Sequence, residues 1–553
     1  MKPAYKRLGT WVPLIIALSF AGGIWTGNSL LQRRANPVQG KLQEVLDLIN
    51  ANYVDKISTD TLIDYAIPAI LEQLDPHSVY LTADEVKSQN EELEGSFSGI
   101  GISFWLQNDT INVVEVIGGG PSEAVGIMAG DRIVTVNGKS AVGKTWTEER
   151  VRRELRGDEG SKVTLGIMRP SAPGKTFKYD VTRAQIPLTS VDAAYRPADN
   201  VVYVKVNRFG EQTFSEFLDA LARTEYNPKT DKLMVDLRGN GGGYMQPAVM
   251  MANEFLPRGA VIVSTRGREG SGLEETLRAD GTGSFRNAEV VVLVDEQSAS
   301  ASEIFAGALQ DNDRGLVIGR RSFGKGLVQN QFPLRDNSAL RLTIARYYTP
   351  SGRCIQKSYK PGELHSYQDE ILSRYLHGEL QNADSIKFDP KQVFSTVNGR
   401  KVYGGGGIMP DIFVGADTVG VSSYYMEVVN AGLIQKYAMS YCDRNGGKLR
   451  SAKDVRQLMS MLPSDREIIE DFAEYARSTA GIQPRWYYIN LSQDILVNSL
   501  KAWIARDAIG AQAFYEVYNT SDQTIAKALE ALSGGVARVP LLPSNPNKKQ
   551  NKR

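Results

Sequence analysis

The sequence predicts a multidomain α/β protein that begins with a membrane-spanning helix and ends in a helical domain. Three observations predict it. Across residues 185–415, the apolar strands VVYVKV, KLMVDL and VVVLVD alternate with the helix-patterned stretches FSEFLDALART and MQPAVMMANEFL, a rhythm that implies a largely parallel sheet with crossover helices. No charged residue interrupts positions 8–31, a run long enough for a helix to cross the hydrocarbon core of a bilayer. Beyond residue 416, SSYYMEVVNAGLIQKYAMSY, REIIEDFAEYAR and DQTIAKALEALSG place apolar residues at helical spacing. A chain of 553 residues has room for about three or four such domains.

Taken in order, residues 1–34 read as a signal anchor. Lys2, Lys6 and Arg7 precede the apolar run, Trp11 and Trp25 suit its two interfaces, and no small-x-small cleavage site follows it. Arg33 and Arg34 on the far side leave only a weak charge bias for orientation. Residues 38–93 form a small helical domain, read from LQEVLDLINANYV and TLIDYAIPAILEQL, the second closed by Asp75 and Pro76. Residues 95–184 carry short alternating strands, the run GPSEAVGIMAGDRIVTVNG, the charged helix TEERVRRELRG and the strand KVTLGIMR. That order, with turns at Ala129-Gly130-Asp131 and Asn137-Gly138, reads as a PDZ domain. In such a groove the amides of a glycine-containing loop bind a terminal carboxylate and the next strand pairs with the peptide. Gly99, Ile100, Gly101 and Ile102 of FSGIGISF are the candidates, with Arg156 a further one, although the Arg156-Gly157 pair equally reads as a helix stop.

Residues 185–415 hold two loops at the carboxyl ends of strands, where open α/β sheets keep their functional groups. One is VDLRGNGGGYM. A dinucleotide fingerprint needs a third glycine where Tyr244 stands, and the phosphate-binding lysine of a P-loop is missing, so an oxyanion-binding role fits better. The other is SASASEIFAGALQDNDRGLVIGRRSFGKGLVQ, which sets Ser300 at a helix start and Lys325 between Gly324 and Gly326. A serine over a helix N-terminus has amides and the helix dipole facing any oxyanion beside it. A buried lysine, with the ammonium disfavoured by desolvation, can take the hydroxyl proton. From spacing alone, Ser300 and Glu303 equally fit a helix-capping box, and Lys325 equally fits a solvated loop residue.

Several classes are excluded by composition. Net charge is +1, with 64 basic and 63 acidic residues dispersed along the chain, so no nucleic-acid footprint exists. Only the tail at 543–553 is markedly basic, and it reads as solvated disorder. Two cysteines, Cys354 and Cys442, build no disulfide framework, and whether they pair is open. No C-x-x-C or H-E-x-x-H occurs, and the three histidines His77, His365 and His377 supply a Ser-His-Asp triad poorly. No metal or organic cofactor is implied. The polar segment 357–402 reads as an insertion, and 416–542 as an extra helical domain for packing or oligomerisation.

The motifs LDPHSVYL at 74–81, the PDZ-like module, VDLRGNGGG at 235–243, the Ser/Lys segment and GGIMPDIFV at 406–414 resemble, in order, those of the C-terminal processing peptidases, or tail-specific proteases. The resemblance implies a core of the crotonase-like/tail-specific protease type. It places the nucleophile on Ser300, the base on Lys325, the residue orienting that lysine on Gln329, and the oxyanion hole on the amides of Ala301 and Gly242 or its neighbour Gly241. Asp311 and Glu303 fall at supportive positions. The expectation is a serine endopeptidase anchored in the inner membrane, with its catalytic domain on the periplasmic side. It would capture protein or peptide substrates by their free C-termini and cut upstream. Dimerisation through helices at either end and an adaptor partner stay open. The competing readings are a non-catalytic PDZ receptor with a degenerate core and, more weakly, a Ser/Lys amidase of small amides.

Overall fold

The architecture is that of a computed structural model, which describes residues 40–534 apart from 108, 170, 171 and 173. The expected span at 8–31 and the basic tail at 543–553 lie outside the described residues. Among the described residues, no helix is long and apolar enough to cross a membrane.

Two compact units divide the described residues, with the boundary between Leu74 and Asp75. The first contains helices α1 (Gly40–Asn52) and α2 (Thr59–Leu71), joined by a 2.7 Å hydrogen bond from Asn50 to Thr59. The boundary falls inside the helical region expected over 38–93. In the second unit, strand β1 (Val79–Leu81) leads into helix α3 (Ala83–Glu94). Thr82 and Glu85 form a reciprocal capping box at its start, and Gly95 ends it in the left-handed conformation.

The PDZ domain opens with β2 (Ser96–Gly99), β3 (Ile102–Gln107), β4 (Thr110–Val116) and β5 (Arg132–Val136), and continues through helix α4 (Glu148–Leu155), β6 (Lys162–Met168), β7 (Thr176–Thr182) and β8 (Ala184–Pro187). Its sheet runs β3-β4-β5-β6-β7, which leaves β3 an edge strand, while β2 and β8 pair where the chain enters and leaves. Ile111, Val113, Ile133, Val163, Leu165 and Ile167 close its core against Val151 and Leu155 of α4.

The α/β core places β9 (Val191–Ala198), β10 (Val201–Val206), β11 (Lys232–Asp236), β14 (Val290–Val294), β15 (Leu316–Gly319) and β18 (Ile412–Phe413) in one sheet in that order. All neighbours after the β9-β10 pair are parallel. β10 and β14 are buried at every position, as expected of parallel strands covered on both faces. On one face, Val202, Val204, Leu233, Val235, Val290 and Val292 pack against α5 (Thr213–Arg223), α6 (Met245–Asn253) and α7 (Ala301–Asp311). A second sheet joins β1 to β17 (Ala339–Tyr348), then β12 (Val261–Gly267) and β13 (Glu275–Arg278), with β16 (Leu327–Pro333) beside β17.

The C-terminal region splits between two roles. Residues from Tyr424 to Val517 build their own helical core, in which α8 (Leu433–Leu449) and α9 (Gln493–Ile509) are the long members. The last helix, α10 (Gln523–Ser533), does not belong to it. Its Ile525, Ala528, Ala531 and Leu532 pack on Tyr203, Met234, Val291, Leu293 and Ile318, the second face of that parallel sheet. The extra domain expected over 416–542 therefore ends in a helix that completes the α/β core as a three-layer sandwich. The segment 357–402 packs on the loop that leads to Lys325, where Arg374 donates to the carbonyls of Ser322 at 2.8 Å and Phe323 at 3.1 Å.

Candidate active site

β14 runs into a tight turn that ends at Ser300, and α7 starts at the next residue. Asp295 shapes this turn by accepting the amides of Gln297 and Ser298, both at 3.1 Å, and that of Gly239 at 2.9 Å. Ser300 sits at φ +55° and ψ −114°, a conformation costly for any residue but glycine and retained where surrounding contacts enforce it.

The helix start carries the capping-box arrangement expected from Ser300 and Glu303, with Glu303 Oε2 accepting the Ser300 amide at 2.8 Å. Glu303 is fully buried, and it also accepts the amides of Gly324 at 2.7 Å and Lys325 at 2.9 Å and the hydroxyl of Ser322 at 2.5 Å. Burial raises its pKa above the ordinary range, and the four donors oppose that shift.

Lys325 Nζ donates to Gln329 Oε1 at 2.8 Å, and Gln329 Nε2 donates to the His77 carbonyl. The LDPHSVYL motif thus supports the lysine through its backbone. Asp75 folds that motif by accepting the amides of His77 at 2.9 Å and Ser78 at 3.1 Å, and it ties the turn to Thr343 of β17 at 3.0 Å. Burial lowers the Lys325 pKa, and the Arg341 guanidinium lowers it further. Burial also lowers His77, with Lys325 next in weight, to about 4, and its Nε2 lies 2.7 Å from the Tyr367 hydroxyl.

Ser300, Ala301, Lys325, Gln329, Gly241 and Gly243 line one cavity of 460 Å³. Gly242 lies beneath it. A Cβ there would stand 2.7 Å from both the Ala299 oxygen and the Ser300 Cβ, at φ +101°. Its amide, expected to bind the oxyanion, instead donates to Asn240 Oδ1 at 2.8 Å. The correction has a plain cause: Asn240, fully buried, hydrogen-bonds both sides of the loop, donating to the Val206 carbonyl at 3.0 Å and accepting the Ala299 amide at 3.0 Å. Among the described residues, the amides of Gly241, Gly243 and Ala301 donate to no protein acceptor, and these three face the cavity.

Asp311 lies away from the cavity. It ends α7 fully buried against an equally buried Arg353 at 2.8 Å and accepts the Ser351 hydroxyl at 2.6 Å, so it fixes the turn after β17. Sequence reasoning missed Asn240, Tyr347 and Arg341. The first is legible in hindsight as the side chain inside RGNGGG, whereas the other two are strand residues with no motif around them.

In the PDZ domain, the Ile100 and Gly101 carbonyls accept the amides of Ser122 at 3.1 Å and Ile117 at 3.0 Å. Their own amides donate to no backbone acceptor among the described residues. Gly101 adopts φ +75°, and Ile102 begins the edge strand β3. Arg156, expected to face the ligand, pairs with Glu91 of α3 at 2.7 Å and lies 4.4 Å over the Phe97 ring. It therefore fastens the PDZ domain to α3, whose Asn90 and Leu93 line the cavity shared by Ser300 and Lys325. The Trp105 side chain of β3 meets Trp503 of α9 edge to face at 6.4 Å.

Comparison with known proteins agrees with this layout. Residues 200–362 match peptidase family S41, residues 113–169 match a PDZ domain, and residues 424–510 match a family of unknown function, DUF8443. The chain is 38% identical over 318 residues to a carboxy-terminal-processing protease of Bartonella bacilliformis, covering 57% of this chain and 71% of that one. It is 36% identical over 324 residues to a probable CtpA-like serine protease of Staphylococcus aureus, covering 58% of this chain and 63% of that one. A solved photosystem II D1 C-terminal processing protease is 30% identical, with a TM-score of 0.31 over 58% of this chain and 90% of that one. The chain belongs to peptidase family S41, as a serine peptidase of the carboxy-terminal-processing kind that carries a PDZ domain.

Proposed function

We propose that Ser300 is the nucleophile and Lys325 its general base in a peptidase that holds the substrate's C-terminus in the PDZ groove and cleaves upstream. The observation that carries this reading is Ser300 at a strained turn, sharing a cavity with a desolvated lysine. Neutral Lys325 takes the hydroxyl proton as Ser300 Oγ adds to the scissile carbonyl. The amides of Ala301 and Gly241, with Gly243 adjacent, receive the oxyanion. Collapse of the tetrahedral adduct breaks the C–N bond, and the Lys325 ammonium gives its proton to the departing amine, leaving an ester on Ser300. Water then attacks the ester with Lys325 again as base, releasing the acid and restoring the serine. Lys325 rests on Gln329, which orients the amine.

Capture by the tail suits the free amides of Ile100 and Gly101 and the open edge of β3, which can pair with a peptide as an added strand. Tethering then raises the concentration of scissile bonds at Ser300. The charge-free run at 8–31 supports a single-pass membrane anchor, and the resemblance to the C-terminal processing peptidases favours the inner membrane with the peptidase on the periplasmic side. The test is to incubate wild type and Ser300→Ala with an unstructured protein ending in an apolar free carboxyl tail and read the fragments by mass spectrometry. Cleavage by wild type alone is expected, with loss on amidation of the tail. Cleavage by both proteins, or by neither while the tail still binds, overturns the dyad. Protease accessibility of the intact protein in spheroplasts tests the placement.

A further inference from the structure

Among the described residues, no carboxylate lines the cavity around Ser300. Its ionisable wall residues are Lys325, Arg341 and the tyrosines Tyr244 and Tyr347, so the chamber around Ser300 carries only positive charge at neutral pH. Arg341 is the fixed part of that charge, because a guanidinium keeps its proton whereas Lys325 must lose its own to work. It rises from β17 directly opposite Gln331 of β16, on the strand pair that also carries Gln329.

Arg341 is half-buried, and among the described residues it makes no ion pair. Its one hydrogen bond is to Gln331 Oε1 at 3.0 Å, which leaves most of a five-donor fork unused. Elsewhere in this core, buried guanidinium groups are met by carboxylates. Arg238 pairs with Asp236, Arg320 with Glu296, Arg353 with Asp311 and Arg374 with Glu370. Arg314, which has no carboxylate, spends its donors on the carbonyls of Phe255, Phe285 and Ala288 instead. Arg341 has neither form of compensation, and it opens into a space large enough for several side chains. A desolvated cation without a counter-ion is costly to a fold. A planar fork at the wall of a substrate chamber is suited to a bidentate carboxylate.

We propose that Arg341 forms a carboxylate-binding subsite within the catalytic cavity, so that the enzyme prefers cleavage sites that bring an acidic group against it. The proposal rests on the Ser300 and Lys325 reading of the cavity. The carboxylate comes either from an acidic side chain near the scissile bond or from the α-carboxylate of a substrate cut close to its end. The ammonium of Lys325, present after proton uptake, stands on the same side and adds to the field that holds the anion.

The test uses peptides with an apolar free tail in which one Glu, or Gln in its place, is moved through the positions flanking the cut. Wild type, Arg341→Gln and Arg341→Lys are compared, with fragments read by mass spectrometry. At one position the Glu peptide is expected to show a KM about tenfold below its Gln partner in wild type. That ratio falls to near one in Arg341→Gln and is partly kept in Arg341→Lys. Short peptides ending in a free acid or an amide form the second arm. An Arg341-dependent preference there, without a Glu preference, assigns the carboxylate to the chain end and still supports the subsite. Ratios near one in both arms with wild type, or ratios unchanged in Arg341→Gln, overturn it. Anisotropy binding of the same peptides to Ser300→Ala separates the two readings. An Arg341-dependent Glu preference in binding, with no cleavage by wild type, sinks the dyad and keeps the subsite.

Discussion

Ser300 and Lys325 are tied together through their main chains at both polar groups. Their amides meet at one atom, Glu303 Oε2, at 2.8 and 2.9 Å. Their carbonyl oxygens meet at another, the Tyr347 hydroxyl, at 3.0 and 2.6 Å. Ser300 leaves β14 and Lys325 follows β15, so these two side chains set the registry between separate loops through main-chain groups alone.

Glu303→Gln tests this clamp. It keeps an oxygen for the Ser300 and Lys325 amides but presents an NH₂ to the Gly324 amide and the Ser322 hydroxyl, so the lysine loop shifts. The expected result is kcat lower by about 100-fold with little change in KM, since small displacements of catalytic groups cost that much. Steady-state kinetics checks it, with circular dichroism to establish the fold. Glu303→Ala strands four donors in a buried site and should cost about 3 kcal/mol in urea unfolding.

Lysine acts as a base only when neutral. Burial, then the Arg341 guanidinium, lower Lys325 below its ordinary 10.5, so kcat/KM rises with pH through an apparent pKa below that of a solvated lysine. His77, lowered to about 4, is neutral across that range and adds no limb to it. Arg341→Gln removes a lowering cause, and the rise should move to more alkaline pH. A pH–rate profile of both proteins decides the matter, and coincident profiles refute it.

Gly242→Ala separates steric from donor roles in the glycine loop. The added methyl meets the Ala299 oxygen and the Ser300 Cβ at 2.7 Å on a backbone at φ +101°, so the turn that aims Ser300 must move. A loss of about 100- to 1,000-fold in kcat is expected, the size seen when oxyanion stabilisation fails. Affinity for a peptide boronate, which forms a tetrahedral adduct on the serine, should fall in parallel while binding of an uncleaved tail peptide holds.

The proposed catalytic residues are legible in the sequence because each sits in a short motif whose chemistry is local: a serine at a strand-to-helix turn, a lysine between glycines, a glutamine four residues further on. What stayed hidden depends on partners far apart in the chain. Gly242 and Gly241 are alike in sequence, and only the Asn240 side chain decides which amide is spent. Arg156 looked available until Glu91 closed on it. The apolar stripe of α10 announces a buried face but not that the peptidase sheet is what buries it.

That last contact carries a consequence for catalysis. Arg238 opens the glycine loop, and its guanidinium spans Asp236 at 2.6 Å and Asp522 at 2.7 Å. Asp522 in turn caps α10, accepting the amides of Thr524 at 2.7 Å and Ile525 at 3.1 Å. The helix that covers the back of the sheet therefore also holds the start of the oxyanion loop. Asp522→Asn retains a capping side chain and loses the charge, so stability should fall by about 1 kcal/mol while kcat drops about tenfold as Arg238 loses one anchor. Asp522→Ala loses the cap as well and should cost about 2 kcal/mol. Ending the chain after Tyr518 uncovers Met234, Val291, Leu293 and Ile318 together, and a protein that then stays folded and active would show that α10 is dispensable to the core.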